Sequence, residues 1–520
     1  MMNLAEYRNS ATRLADFLPW AALVAPGVVL NKDGSFQRTA RFRGPDLDSA
    51  VPAELVGVAG RLNNVLRRLG SGWALFVEAQ RLPASIYPES RFLDAASALV
   101  DAERKAAFEE EGAHFESAYY LTLLYLPPAW EAGGAERFFY EGRNRAAGTD
   151  AREILTGFTD RAERVLQLLD GFMPECHWLD DAETLTFLHS CISTRRQRVR
   201  VPEVPMYLDG LLADQPLTGG LEPKLGDCHL RVLTIVGFPG TTTPGLLDEL
   251  NRLAFAYRWS TRAILLDKTD ATRLLTRIRR QWFAKRKSIA AILKEVMTNE
   301  ASTLVDTDAH NKAIDADVAL QELGSDAVGA AYCTVTVTVW DEDPRVADER
   351  LRLVEKVIQG RDFTCMVERV NAVDAWLGSL PGHAYANVRQ PPVSTLNLAH
   401  MIPLSAVWAG PATDEHFGAP PLFFGRTEGA TPFRFSLHVG DVGHTLVVGP
   451  TGSGKSVLLA LMALQFRRYD NAQVFAFDFG GSIRAAALAM GGDWHDLGSA
   501  LGKEEREPVA LQPLAGIDDV

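Results

Sequence analysis

Residues 444–468 read HTLVVGPTGSGKSVLLALMALQFRR: an apolar run, a glycine-rich turn and a second apolar run. The turn, Gly449-Pro450-Thr451-Gly452-Ser453-Gly454-Lys455-Ser456, fits the spacing GxxxxGK[ST]. His444–Val448 predicts a buried strand and Val457–Phe466 an apolar helix, so the glycines fall at a strand-to-helix turn. Successive backbone N–H groups there converge on one concavity, and the helix N-terminus adds positive potential; together they cradle phosphate oxygens. Glycine permits positive φ and close approach of a ligand. Lys455 is placed to reach the β- and γ-phosphates and the Ser456 hydroxyl to bind Mg²⁺. The ligand this predicts is ATP with Mg²⁺.

Just downstream, Gln473–Phe477 (QVFAF) predicts the next strand, ending on Asp478. Hydrophobic residues followed by Asp are the pattern of a metal-binding carboxylate. This is, however, the first strand after the glycine-rich turn's helix, 23 positions beyond Lys455. Asp478 is thus either a Mg²⁺ ligand or a residue at the sheet edge near the phosphates.

Upstream, residues 387–433 are rich in Pro and Gly, with Pro391-Pro392 and Pro420-Pro421. A linker over 391–433 is expected, separating residues 434–520 from the rest. Before it, helical and strand patterns alternate. Leu55, Val58, Leu62, Val65, Leu66 and Leu69 recur at helical spacing, and further helices are predicted over 91–112 and 151–170. Strands are predicted at Trp73–Ala79, Tyr119–Leu126 and Val232–Val236. Helical patterns over 270–298 and 309–323 predict a hairpin near 270–324. Thr334–Trp340 (TVTVTVW) alternates strictly, which predicts a strand with one buried valine face and one threonine face. The fold class is α/β and α+β multidomain: α+β subdomains over 1–180 and 181–390, the linker, and an incomplete P-loop NTPase domain over 434–520.

With 520 residues, 47% hydrophobic and 23% charged, the chain is no disordered, collagenous or disulfide-scaffold protein. A formal net charge of −13 argues against an all-over nucleic-acid sheath. Phe17–Leu30 is apolar but shorter than the ~20 residues of a spanning helix and contains Pro19 and Pro26, and the N-terminus lacks a secretory-leader layout. Membrane association is expected to be peripheral. The five cysteines are widely spaced with no CxxC, so reduced thiols are expected rather than a zinc site. There is no GxSxG elbow and no HExxH. Arg273, Arg277, Arg279, Arg280, Lys285, Arg286, Lys287 and Lys294 make one helix basic, with Trp282 and Phe283 interleaved. Contact with nucleic acid or anionic lipid is one reading, the solvated face of a hairpin the other.

The stretch GHTLVVGPTGSGKSVLLALMALQFRRYDNAQVFAFDFGGSIRA resembles the TrbE branch of the CagE/TrbE/VirB family of type IV secretion and conjugation ATPases. Residues 15–47 (ADFLPWAALVAPGVVLNKDGSFQRTARFRGPDL) resemble that family's opening segment, and residues 282–324 its central region. The resemblance implies a cytoplasmic ATPase at the inner-membrane face of a mating-pair channel. It would energise pilus assembly and substrate transfer, partner other channel subunits, and work as a homo-oligomer, a hexamer when full length. It also implies a RecA/HerA-like motor fold for the P-loop domain, with a second acidic strand that does not occur before residue 520. The chain is therefore expected to be truncated after the P-loop. Two other readings stand beside this one, a DNA-translocating HerA/FtsK-like pump or coupling protein and a non-catalytic assembly subunit.

Overall fold

The computed structural model describes residues 13–84, 86–127, 151–285, 307–387 and 389–495. The chain divides into two units: Met1–Pro83 with Phe115–Trp408, and Ala84–His114 with Ala409–Val520.

The first unit holds strands β1 (Trp20–Ala25), β2 (Val28–Asn31), β3 (Phe36–Arg43), β4 (Trp73–Pro83), β5 (Phe115–Tyr125), β6 (Glu175–Trp178), β7 (Leu217–Thr218) and β8 (Lys224–Leu225). It continues with β9 (Cys228–Gly237), β10 (Tyr257–Leu266), β11 (Ala330–Asp341), β12 (Thr364–Glu368) and β13 (Pro392–Ser394). All belong to one 13-stranded sheet in the order β1-β2-β3-β5-β4-β10-β11-β9-β8-β7, with β6 on β3, β12 on β9 and β13 on β11. The pairings are antiparallel. Residues 1–180 and 181–390, expected to form separate subdomains, therefore share a sheet. The joint is β4 on β10, where Tyr257 opposes Arg81 and Ile264 opposes Ala74.

Helices cover both faces. In chain order they are α1 (Leu14–Phe17), α2 (Pro52–Leu66), α3 (Ala95–Glu110, in the second unit), α4 (Ala151–Asp170), α5 (Asp181–Ile192) and α6 (Leu208–Leu212). Then come α7 (Lys268–Lys285), α8 (Thr307–Gly324), α9 (Pro344–Gln359), α10 (Ala372–Leu377) and α11 (Thr395–Met401). Leu62 of α2, Phe158 of α4, Val354 of α9 and Leu398 of α11 share a core with Trp259, Val335 and Val337 on one side of the sheet. Leu188 of α5, Leu212 of α6 and Trp376 of α10 share another with Trp20, Leu230 and Val232. Because both faces are covered, β11 buries its threonines as well as its valines: Thr334, Thr336 and Thr338 are all under 4% exposed. Alternation in β11 therefore separates an apolar core from a polar but equally buried one.

The polar core is built on cations. Arg258 grips Glu78 with Nε and Nη2, each at 2.7 Å. Arg262 has no carboxylate among its described partners. It donates instead to the backbone oxygens of His383, Ala384 and Asn387 and to the Thr334 hydroxyl, and burial lowers its pKa to about 10. These bonds tie residues 383–387 onto β10.

The Pro/Gly-rich stretch 391–433 is no linker. Leu398, Met401, Leu404 and Ala406 are buried in the first unit, and the division falls between Trp408 and Ala409. Proline here serves packing: Pro391 accepts a backbone bond from Cys333 and Pro392 opposes Tyr332 at a sheet edge. The described parts of α7 and α8 run antiparallel, with Arg279 on Asp317 at 2.9 Å and Ala271 near Leu323. The hairpin's remaining residues, 286–306, lie outside the described ones.

Candidate functional site

The second unit contains the hairpin β14 (Phe423–Arg426) and β15 (Pro432–Phe435), then α12 (Lys455–Phe466) and α13 (Arg484–Ala489), together with α3. Helix α12 is apolar nearly all round. Leu458, Met462 and Phe466, one turn apart, pack on Leu422, Phe423 and Tyr469. The side chains of Val457 and Leu459 are exposed instead.

Gly449–Ser456 wraps the N-terminus of this helix. Gly452 and Gly454 both have φ of 83°, the left-handed region where a side chain is strained. Gly454 is the N-cap, so no side chain caps the first turn, and no acidic residue lies in it. The amide groups of the first turn are thus left for an external acceptor. Leu458 N–H donates to Gly454 at 2.9 Å, and Ser453 N–H to Pro450 at 3.3 Å, closing the loop. A Cβ on Gly449 would stand 2.8 Å from Ser453 Oγ. The Lys455 ammonium lies across the loop, donating to the carbonyls of Gly449 at 2.8 Å and Pro450 at 2.7 Å. Thr451, Gly452, Ser453, Gly454 and Ser456 are exposed and Lys455 is half-buried. A flexible ammonium held only by two carbonyl oxygens can be redirected to an anion seated on the helix end.

Asp478 is otherwise engaged. It accepts from Gly480 N–H at 3.0 Å, Ile483 N–H at 3.0 Å and Ser482 Oγ at 2.9 Å. These bonds, that of Gly480 foremost, hold its carboxyl below the ordinary value. Both oxygens serve the turn that precedes α13, which makes Asp478 an organiser of its own loop.

The two strands expected around the loop do not form. Residues 444–450 and 473–478 are assigned no strand, and among the described residues none pairs with them. Leu446, Val448, Phe475 and Phe477 are each more than 80% exposed. Apolar sequence supplies the inclination to extend, but a strand exists only where a ladder partner takes its N–H and C=O groups.

At the far end of α12, sequence reasoning missed a cluster. Arg468 reaches Asp101 of α3, which Tyr87 also contacts. The legible signal was the Arg467-Arg468 pair just beyond the helix, since cations favour helix C-termini. Of the basic residues noted in α7, Arg273 pairs with Asp270 at 3.0 Å and Arg279 with Asp317. The side chains of Lys285, Arg286, Lys287 and Lys294 lie outside the described ones. Among the described residues, no group of three or more His, Cys, Asp or Glu could hold a metal ion. No described helix is long and apolar enough to cross a membrane.

Residues 27–132 match the model of the type IV secretion system ATPase VirB4/TrbE N-terminal domain. Residues 175–389 match that of the CagE, TrbE, VirB family, component of type IV transporter system. The chain is 37% identical to the conjugal transfer protein TrbE of Rhizobium radiobacter over 99% of its own length and 65% of that protein's. In Sinorhizobium fredii a probable conjugal transfer protein TrbE occurs as two separate chains. This chain is 40% identical to the first of them, covering 98% of that protein with 28% of its own length. The chain belongs to the CagE, TrbE, VirB family. A more distant member, the type IV secretion system protein virB4 of Bartonella quintana, is 22% identical over 97% of this chain and 62% of that protein. The chain thus spans just under two thirds of the length of the Rhizobium and Bartonella family members. Both family-model matches fall before the glycine-rich loop.

Proposed function

We propose that the chain is an ATP-binding P-loop subunit of a type IV secretion or conjugation system, acting in pilus assembly and substrate transfer. One observation carries the nucleotide reading. The uncapped N-terminus of α12 is ringed by Gly452 and Gly454 at positive φ, with Lys455 beside it. Those features suit phosphate oxygens, and Ser456 at the start of the helix suits Mg²⁺. Asp478, with both oxygens engaged, does not suit the metal as it stands. ATP would supply the phosphate whose charge Lys455 and the first-turn amides neutralise.

Family membership supports the wider reading: ATP hydrolysis, a RecA/HerA-like motor fold around α12, other secretion subunits as partners, a hexameric working form and a site at the inner membrane's cytoplasmic face. The engaged Asp478 favours binding over rapid turnover by the residues present here, because hydrolysis needs a carboxylate free to hold Mg²⁺ or orient water. Two measurements test the proposal. Lys455→Ala should weaken binding of a fluorescent ATP analogue at least tenfold. Equal affinity of the variant and the unmodified protein refutes the assignment of Gly449–Ser456. Phosphate release should be far below the ~1 per second of working P-loop motors; release near that rate, abolished by Lys455→Ala, would make Asp478 or another residue a working carboxylate.

A further inference from the structure

We propose that α3, through Asp101 and Arg468, is a positioning element for the nucleotide loop, so that nucleotide binding and the packing of α3 are thermodynamically linked. This rests on the nucleotide reading of Gly449–Ser456. Its starting point is a detour in the chain. Pro83, the last residue of β4, is the register partner of Phe115, the first of β5. Antiparallel strands so matched need only a tight turn to join them. Instead the chain leaves for residues 84–114, which cluster with Ala409–Val520.

What α3 does there is grip the C-terminal end of α12. Arg468, whose side chain is 1% exposed, donates through Nη2 to Asp101 Oδ1 at 2.7 Å and to Gln465 Oε1 at 2.7 Å, and through Nη1 to the Pro421 carbonyl. The Tyr87 hydroxyl donates to the same Asp101 oxygen at 2.8 Å, and burial, aided by Asp101, raises its pKa to about 12. Arg467 stands 3.7 Å from Asp94, the N-cap of α3. Arg104 of α3 donates to the Phe424 carbonyl, and Tyr87, Phe108 and Phe424 form a small aromatic core.

The glycine-rich loop and this clamp occupy opposite ends of one helix. Twelve residues at 1.5 Å each separate them by about 18 Å, so Asp101 acts on the loop only through α12. The face bearing Leu458, Met462 and Phe466 holds the helix sideways against β14 and β15, and apolar packing of that kind tolerates sliding and rotation. A buried charged pair with directed hydrogen bonds does not. Asp101 and Arg468 therefore set the rotation and axial position of α12, and with them the direction in which its first-turn amides point. If the clamped helix binds phosphate better than the released one, reciprocity requires that phosphate tighten the clamp in turn.

Hydrogen–deuterium exchange on the full chain, with and without a non-hydrolysable ATP analogue and Mg²⁺, tests the linkage without any substitution. The analogue should slow exchange in residues 95–110 as well as in 449–458. In Arg468→Met the protection of 95–110 should vanish. Asp101→Asn, which keeps the shape and the acceptor for Tyr87, should weaken analogue binding about tenfold and leave the exchange pattern of residues 151–266 as it was. Protection of 449–458 alone, with 95–110 unchanged and Asp101→Asn binding normally, overturns the proposal. Protection nowhere would instead overturn the nucleotide reading, and this inference with it.

Discussion

Asp248 shows how a single side chain can make stability depend on pH. It is fully buried, and accepts bonds from the backbone N–H and the hydroxyl of Ser405. Burial raises its pKa from the ordinary 3.8 to about 7 despite those bonds. Between these two values the folded protein holds a proton that the unfolded chain has released. Stability therefore falls as pH climbs from about 4 to 7 and stays at the lower level above it. Asp248→Asn should remove this slope. Melting midpoints at pH 5, 6.5 and 8 should converge in the variant, which gains on the unmodified protein most at pH 8. Gly454 argues a second point at this scale. A methyl group there meets no neighbour, but φ is 83°, so Gly454→Ala should cost about 1–2 kcal/mol in local backbone strain alone. Analogue binding should fall with it, because relieving the strain moves the amides that face the phosphates.

Among the elements, β4, β10 and β11 are held by polar as well as apolar contacts. Glu78 and Arg258 lie on neighbouring strands, offset by one pair in the register, and both are under 4% exposed. Arg258 also donates to the Cys191 carbonyl of α5 at 3.0 Å, so the pair ties a helix to the sheet. Removing the cation alone leaves a buried carboxylate; Arg258→Met should cost about 3–5 kcal/mol. Arg258→Met with Glu78→Leu should recover most of that loss, and urea unfolding of the three proteins measures both. These strands and most helices were legible from periodicity. Helix α4 spans Ala151–Asp170 as its pattern indicates, and β11 contains the whole TVTVTVW run. The expected strands at 444–448 and 473–477 were not to be had from periodicity, because pairing is a property of two segments and periodicity belongs to one.

At the scale of the molecule, the decisive fact is that contacts ignore sequence distance. Asp101 and Arg468 are separated by 367 positions, and Asn63 and Thr395 by 332, yet each pair is hydrogen-bonded. If 84–114 is a true insertion, a chain of residues 1–83 joined to 115–408 through a two-residue turn should fold cooperatively. It should show no thermal stabilisation by ATP and Mg²⁺; a nucleotide-dependent rise in its melting temperature would contradict the placement of the site. Phe475, Phe477 and Phe479, with Leu446 and Val448, form exposed apolar side chains around the glycine-rich loop. Exposed apolar surface of this kind promotes self-association. Phe475→Ser with Phe477→Ser should lower light scattering of the purified chain and leave its circular dichroism intact.

By itself the amino-acid sequence determined the glycine-rich turn, the helix that follows it and most of the first unit's elements. The cause is local: glycine spacing, apolar period and turn residues act within a few positions. Tertiary structure alone decided that residues 1–180 and 181–390 share one sheet, that 391–408 is core, and that 84–114 sits with the glycine-rich loop's helix. Each of these depends on which distant segment offers a hydrogen-bonding edge, an apolar face or a counter-charge. Such partners leave no mark on the spacing of residues along the chain. Asp478 illustrates the same divide: four apolar residues and a carboxylate announce a metal ligand, but two backbone amides and a hydroxyl from the next turn claim both its oxygens.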